Sequence, residues 1–143
     1  MNRQVKTILT VHPPIPKKQL GRYRNRKGVF LIRLKEKVIY IGNSSNIYKA
    51  AQRLFQKDGV LNHIDMAKVK FEVVLSTLRR PSVASVLKHH FTPKYNYKSK
   101  LAKVLSGYEA RQAKRIKENY FTQSRFTPEG DHQTDSKTKP NNQ

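Results

Sequence analysis

The segment "VIYIGNSSNIYKAAQRLFQ" (residues 38–56) decides the fold, because its hydrophobic pattern changes at one glycine. Before Gly42, β-branched and aromatic residues predict a strand. After it, Ser44, Ser45 and Asn46 are all competent N-caps for a helix. Apolar residues then recur at three- and four-residue spacing, which predicts one buried helix face: Ile47, Ala50, Ala51 and Leu54. A strand, a glycine and a helix in this order often precede a phosphate-handling site.

The residues around this segment predict a small sheet. "VFLIRL" (29–34) and "KVIYIG" (37–42) are β-rich runs separated by a short charged turn, which predicts an antiparallel hairpin. "KVKFEVVLS" (68–76) alternates well enough to form a third strand. A short helix is predicted over "SVASVLKHHF" (82–91), with Pro81 in its first turn. We therefore predict an α+β domain, with a small antiparallel three-stranded sheet flanked by helices.

The segments outside this domain differ from it in composition. Residues 1–27 combine many cations with the proline-rich run "HPPIP", which predicts a basic extended arm. Residues 98–123 predict a basic amphipathic helix, weakened near its middle by Gly107. Residues 124–143 are polar and are predicted to stay disordered unless a partner binds them. The apolar side of the predicted helix contains Leu101, Val104, Leu105, Tyr108 and Ile116.

Net charge is the strongest signal in the composition. Thirty Lys and Arg residues against nine Asp and Glu residues give a formal net charge of +21. Self-repulsion of this size destabilises a compact chain, so a polyanionic partner is expected. Residues 1–27 contain no acidic residue, and nucleic acid is the partner that such a segment favours, DNA ahead of RNA. An anionic membrane is the weaker alternative, because the basic segments lack a strong apolar face.

Composition also limits the class and location of the protein. The chain has no cysteine, so disulfides and thiolate metal sites are excluded. No apolar run approaches the roughly 20 residues that span a bilayer. The run "ILTV" (8–11) is too short for the apolar part of a secretory signal and is soon followed by prolines. We expect a cytoplasmic protein, or one within a virion or nucleoprotein particle.

Four motifs, in order, resemble the GIY-YIG nuclease domain. Gly28-Val29-Phe30 stands where the family has its first triplet, and Tyr40-Ile41-Gly42 matches the second. "NSSNIYKAAQRLFQ" (43–56) resembles the helix after the second triplet, and "PKYN" (93–96) matches the closing Pro-x-Tyr-Asn motif. The resemblance covers residues 28–97. It implies a GIY-YIG-like sheet in which Asn96 supports the active-site region.

The same resemblance implies an incomplete nuclease site. The metal-binding glutamate of the family corresponds to Ala84, and its first tyrosine corresponds to Phe30. Three residues of the site remain: Tyr40, Arg53 and Asn96. Because a hard divalent cation requires charged oxygen ligands, we expect no metal, no cofactor and no cleavage. Magnesium would be required if Glu72, on the third predicted strand, reached the site from another side.

The histidines give no alternative metal site. His89 and His90 are adjacent on the predicted helix, and neighbouring helical residues point in different directions. His12, His63 and His132 show no spacing typical of a metal site. We therefore predict no histidine metal centre.

Binding of nucleic acid without cleavage is the function that these features favour. Gly42 would let the backbone approach a phosphate closely, and the N–H groups that begin the helix near Ser45 would attract an anion. The predicted contact residues are Lys17, Lys18, Arg22, Arg24, Arg26, Lys27, Tyr48, Arg53, Lys103, Arg111, Lys114, Arg115 and Lys117. With about six phosphates neutralised, affinity should fall by about three decades between 50 and 200 mM salt. Binding should be largely independent of base sequence.

Two alternatives remain open from the sequence. The first is a structural subunit of a nucleoprotein particle, such as a phage virion, in which neighbouring subunits order the arm and the tail. The second is an active, divergent endonuclease of a phage or mobile element with a substitute metal ligand. Cleavage of DNA with magnesium or manganese would separate the second alternative from binding alone.

Overall fold

The fold is α+β, with one antiparallel sheet. The structure is a computed structural model and describes residues 7–96 and 105–126. Within these ranges the sheet has five strands: β1 (Leu9–Val11), β2 (Ile15–Pro16), β3 (Gly28–Leu34), β4 (Lys37–Ser44) and β5 (Val69–Ser76). Three α-helices lie in the same ranges: α1 (Ile47–Leu54), α2 (Arg80–Phe91) and α3 (Gly107–Gln123). The strand order is β1-β5-β3-β4, with β2 also paired to β5.

The predicted hairpin and third strand are confirmed. Strands β3 and β4 pair in antiparallel register through a turn at Lys35 and Glu36, both of which have positive φ angles, 53° and 71°. Positive φ at both central residues is the geometry of a two-residue hairpin turn whose twist matches the strands. Strand β5 pairs with β3, which places β3 between β4 and β5.

The sheet is larger than predicted, because part of the N-terminal segment belongs to it. Strand β1 pairs with β5 from Leu9↔Ser76 to Val11↔Val74, and β2 pairs with the other end of β5. The prediction of an extended arm is therefore wrong for these residues. Apolar side chains explain the difference, since Ile8, Leu9 and Ile15 are buried. Pro16 ends β2 at the sheet margin, where the missing N–H of a proline is tolerated.

The two faces of the sheet are covered by different elements. Side chains of successive strand residues point to opposite faces, so each strand contributes to both cores. On the side of α2 and α3, called here the α2–α3 side, the buried residues include Val29, Leu31, Val74, Leu87, Ile116 and Tyr120. On the other side, called the α1 side, they include Leu20, Phe30, Ile32, Ile47, Phe71 and Val73. The 3₁₀ segment Lys17–Tyr23 also packs on the α1 side.

Helix α3 begins later than predicted. Ser106 is its N-cap, and the side chains and backbones of Ser106 and Glu109 form a reciprocal capping box. Gly107 is therefore the first helical residue and does not weaken the middle of the helix. Ile116 is buried as predicted, whereas Tyr108 is 38% exposed. The predicted residues 98–104 and most of the predicted tail, residues 127–143, lie outside the described ranges.

Carboxamide side chains cover both outer edges of the sheet. Asn96 pairs with the backbone of Ile41 on β4, accepting from its N–H at 2.7 Å and donating to its carbonyl at 2.8 Å. At the opposite edge, Asn119 accepts from the N–H groups of Ile8 and Leu9 at 2.8 and 3.2 Å. Gln123 accepts from Val11 N–H at 2.8 Å and donates to the carbonyl of Leu9 at 2.8 Å. The contacts of Asn119 and Gln123 fix β1 to α3. Together with those of Asn96, they protect edge backbone groups that would otherwise pair with another chain.

A buried polar cluster connects α3 to the centre of the sheet. The guanidinium of Arg33 donates to Glu72 at 3.2 Å and to the hydroxyl of Tyr120 at 2.7 Å. The same hydroxyl donates to Glu72 at 2.5 Å, and Ser124 donates to the second carboxylate oxygen at 2.8 Å. Burial raises the pKa of Tyr120, and the neighbouring Glu72 charge raises it further. The phenol therefore stays protonated and serves as a donor.

Candidate nucleic-acid interface

The structure divides the predicted contact residues between the two sides of the sheet. The 3₁₀ segment and the turn after it contain the N-terminal cations, and they pack next to α1. Arg53 and Tyr48 belong to α1 itself. Helix α3, on the opposite side, contains Arg111, Lys114, Arg115 and Lys117, while Lys103 lies outside the described residues. The two sets therefore lie on opposite sides of the sheet.

The N-terminal segment contacts the start of α1 directly. Arg24 donates to the hydroxyl of Tyr48 at 3.0 Å, and its guanidinium carbon lies 4.4 Å from the centre of the Tyr48 ring. The hydrogen bond from Arg24 is the main reason why the pKa of Tyr48 is lowered. Asn25 and Asn46 exchange two hydrogen bonds of 3.2 Å. These contacts hold the basic turn against the helix.

Two of the N–H groups that begin α1 are used within the protein. Asn46 is the N-cap among the three candidates, and its side chain accepts from Lys49 N–H at 3.2 Å. The N–H of Ile47 donates to the carbonyl of Arg26 at 2.9 Å. The N–H groups of Ile47 and Lys49 are therefore not offered to a phosphate as predicted, because the protein itself uses them.

A group of exposed cations lies on the α1 side. Eight exposed basic residues lie on the 3₁₀ segment, the following turn and α1: Lys17, Lys18, Arg22, Arg24, Arg26, Lys27, Lys49 and Arg53. Within residues 7–96 and 105–126, none of these eight is within ion-pair distance of a carboxylate, and the ion pair that is present joins Arg33 to Glu72 in the core. Lys49 was missed by the sequence analysis, although its four-residue spacing from Arg53 predicts that both lie on one helix face.

A groove brings together the three residues predicted to remain from a nuclease site. It has a volume of about 690 Å³ and lies between the end of α1, the loop after it and the Pro93–Asn96 segment. Its lining includes Tyr40, Arg53, Lys57, Asp58, Tyr95 and Asn96. Tyr95 was not predicted as a site residue, although it belongs to the quoted "PKYN" motif. Asn96 forms one wall through its pairing with Ile41.

Gly42 has a different role from the one predicted. It is buried, and its register partner on β3 is Phe30. A Cβ atom at Gly42 would lie 2.4 Å from Cζ of the Phe30 ring. The glycine therefore makes room for an aromatic side chain of the protein and not for the close approach of a phosphate.

We expect Gly42→Ala to lower the free energy of unfolding by about 1–3 kcal/mol, because the added methyl overpacks the core against Phe30. Urea unfolding monitored by circular dichroism measures the change. Gly21→Ala is the matched control, since the nearest atom to its added Cβ is 3.9 Å away. In the double variant with Phe30→Leu, the cost of the added methyl should shrink. Equal unfolding midpoints for Gly42→Ala and Gly21→Ala would contradict this account.

Neither of the positions considered for a metal ligand from the sequence, Ala84 and Glu72, lies in the groove. Ala84 is buried on the α2–α3 side, whereas the groove lies beside α1. Glu72, the suggested substitute ligand, is also on the α2–α3 side and is bound to Arg33, Tyr120 and Ser124. Asp58 is a carboxylate in the groove lining, but it lies in the loop after α1 and not on α2, where the resemblance places the metal-binding glutamate. In the described part of the chain, no three acidic or histidine side chains are grouped as metal ligands would be.

The histidines have contacts of other kinds. His12 forms a 2.7 Å hydrogen bond with the hydroxyl of Tyr23, and burial is the main cause that lowers its pKa, followed by Arg26 and Arg22. His63 forms a 3.1 Å hydrogen bond with the hydroxyl of Tyr95. His132 lies outside the described residues.

Comparisons with known proteins add no functional information, so the proposed function depends on this geometry. The chain matches no family model, and no match is found among the curated proteins or the solved structures. Of the helices in the described ranges, none is both long enough and apolar enough to cross a membrane.

Proposed function

We propose that this protein binds the sugar-phosphate backbone of nucleic acid through its α1 side and does not hydrolyse it. The observation that supports this most is the group of eight exposed cations around α1 without a carboxylate within ion-pair distance in the described residues. A protein that holds like charges together on one surface destabilises itself unless a polyanion compensates the repulsion. Arg24 and Tyr48, which are already in contact, would then meet sugar and phosphate together.

The scaffold that we propose is a GIY-YIG-like domain. The order hairpin, helix, strand, helix and Pro-x-Tyr-Asn supports it, because β3, β4, α1, β5 and α2 follow one another in this order. Asn96 supports it further, since its bonds to Ile41 hold the second triplet of the motif in place. On this proposal, β1, β2 and α3 are additions that enlarge the sheet and cover its other face.

Binding would depend on charge and not on base identity. Lysine and arginine side chains neutralise phosphates and release condensed counterions, which makes the affinity fall as salt rises. Contacts to phosphate and sugar position a protein on nucleic acid without reading its sequence. The eight cations extend over both the 3₁₀ segment and α1, so they would follow several successive phosphates.

Hydrolysis of nucleic acid would lack a carboxylate at the expected metal-binding position. Phosphodiester cleavage by this class of domain needs a metal ion on the phosphate and a positioned base for water. Arg53 lines the groove and could stabilise developing charge, but the position corresponding to the metal-binding glutamate is Ala84, which is buried on the α2–α3 side. We therefore propose DNA binding first and assign no catalytic role to Tyr40, Arg53 or Asn96.

One preparation can test binding and cleavage together. We expect the logarithm of the association constant to fall with the logarithm of salt concentration with a slope of about −5, for about six neutralised phosphates. Plasmid DNA incubated with magnesium or manganese should remain intact. Cleavage that Arg53→Ala abolishes would overturn the absence of catalysis, and a slope near zero would overturn the proposed binding mode.

A further inference from the structure

We propose that the groove beside α1 holds one unpaired nucleotide base, so that the protein prefers single-stranded nucleic acid or an open end to a continuous duplex. The inference rests on the proposed backbone binding and specifies its substrate class. It concerns the groove of about 690 Å³ whose lining includes Tyr40 and Tyr95. This size is within the range of pockets that take small organic ligands, about 300–1,000 Å³.

Two tyrosine rings in the groove are held in place by neighbouring rings. The ring centres of Tyr40 and Phe30 are 6.2 Å apart. Those of Tyr95 and His63 are 5.4 Å apart, and the Tyr95 hydroxyl is 3.1 Å from Nε2 of His63. A ring that is fixed before binding loses little conformational entropy when a ligand stacks on it. Aromatic side chains of this kind accept any base, because every base has a π-face.

The rest of the lining suits a nucleotide unit. Apolar surface from Ala50, Leu54 and Val60 can contact a base or a sugar. Arg53 and Lys57 line the same groove and provide positive charge for the attached phosphate. Gln56, Asp58 and Asn96 complete the polar part of the lining. Apolar and aromatic walls combined with polar groups that fix orientation are typical of sites for small organic ligands. Binding of phosphate alone would require cations and no aromatic surface beside them.

A continuous duplex cannot use this groove in the same way. Its bases are stacked and paired inside the helix, so a base must leave the stack before it can enter a pocket. In a single strand the bases are already accessible, and each stacked base contributes independently of sequence. The cations on the α1 side, including Arg53 at the groove, would follow the backbone on either side of the inserted base.

The test compares ligands that differ in their bases. Fluorescence anisotropy would measure binding of the full chain to labelled strands of about 15 nucleotides: single-stranded DNA, single-stranded RNA, a blunt DNA duplex, and an abasic single strand with the same number of phosphates. We expect single strands with bases to bind about 5- to 150-fold more tightly than the abasic strand, from the stacking of one base. The comparison of DNA with RNA shows which sugar the site accepts.

Variants of Tyr95 test whether the difference in affinity between intact and abasic strands arises in the groove. Tyr95→Leu should remove most of the difference between the intact and abasic strands, whereas Tyr95→Phe keeps the ring and should retain it. Equal binding of intact and abasic strands by the unaltered chain would overturn the inference, and salt-dependent binding of both would leave the proposed function standing. Failure to bind any of the four ligands would overturn both. If Tyr95→Leu retains the full difference, the base does not lie in this groove.

Discussion

We expect Glu72→Ala to lower the free energy of unfolding by about 3–5 kcal/mol, because it removes one partner of a buried ion pair. Arg33 and Glu72 are 1% and 0% exposed, and their contact is 3.2 Å. Without the carboxylate, the Arg33 charge would remain in the core without compensation. The hydroxyls of Tyr120 and Ser124 would lose their acceptor as well. Urea unfolding with linear extrapolation measures the change.

Glu118→Ala provides the control for this prediction. Glu118 is an exposed glutamate on α3, and its removal should change the free energy of unfolding by at most about 0.5 kcal/mol. A second comparison replaces the pair together, as Arg33→Met with Glu72→Leu. Because no uncompensated charge then remains, the double variant should be more stable than Glu72→Ala alone. Comparable unfolding curves for Glu72→Ala and Glu118→Ala would show that the buried cluster does not stabilise the fold.

The central elements of the fold are predictable because their signals are local. The β-rich runs of β3 and β4 and the alternation in β5 specify strands within windows of a few residues, and a two-residue turn joins the first two. The three N-cap candidates, of which Asn46 is the one used, and Pro93 after Thr92 are likewise local signals, which mark the start of α1 and the end of α2. Patterns of this length need no knowledge of distant residues.

The N-terminal segment was predicted wrongly because its structure depends on distant partners. Strand β1 pairs with β5, which lies more than sixty residues later in the chain. Its other edge is bonded to Asn119 and Gln123 on α3, with separations of up to 114 residues. Nearby prolines conceal the alternation that a strand would otherwise show. Sequence pattern alone cannot supply such pairings, and the partners of Glu72 were unpredictable for the same reason.

The candidate site was predictable in part. Tyr40, Arg53 and Asn96 line one groove, and the motif spacing indicated that they belong together. The reason for Gly42 was missed, since only the register of β3 against β4 shows that Phe30 fills its side-chain position. The cations were identified by composition, but their division between two sides of the sheet depends on the packing of α3. Substitution of the cations on each side can therefore test which side binds DNA.

Two sets of four substitutions distinguish the two basic surfaces. The first set changes Arg22, Arg24, Lys49 and Arg53 on the α1 side to glutamine. The second set changes Arg111, Lys114, Arg115 and Lys117 on α3 to glutamine. Both sets remove the same number of charges from mostly exposed positions, so the change in net charge is matched. We expect the first set to weaken DNA binding by roughly 300-fold near 0.2 M salt and to reduce the salt slope by about 3.6, as the loss of four phosphate contacts implies.

The second set should change affinity far less, because α3 faces away from α1 across the sheet. If the net charge of +21 alone attracted DNA, both sets of substitutions would weaken binding equally. Urea unfolding of both variants shows whether either loss reflects unfolding. Equal losses in two folded variants would disprove binding through the α1 side, and a loss confined to the α3 set would place the interface on the opposite face. A loss confined to the first set would show that the position of the cations, and not their total number, determines where DNA binds.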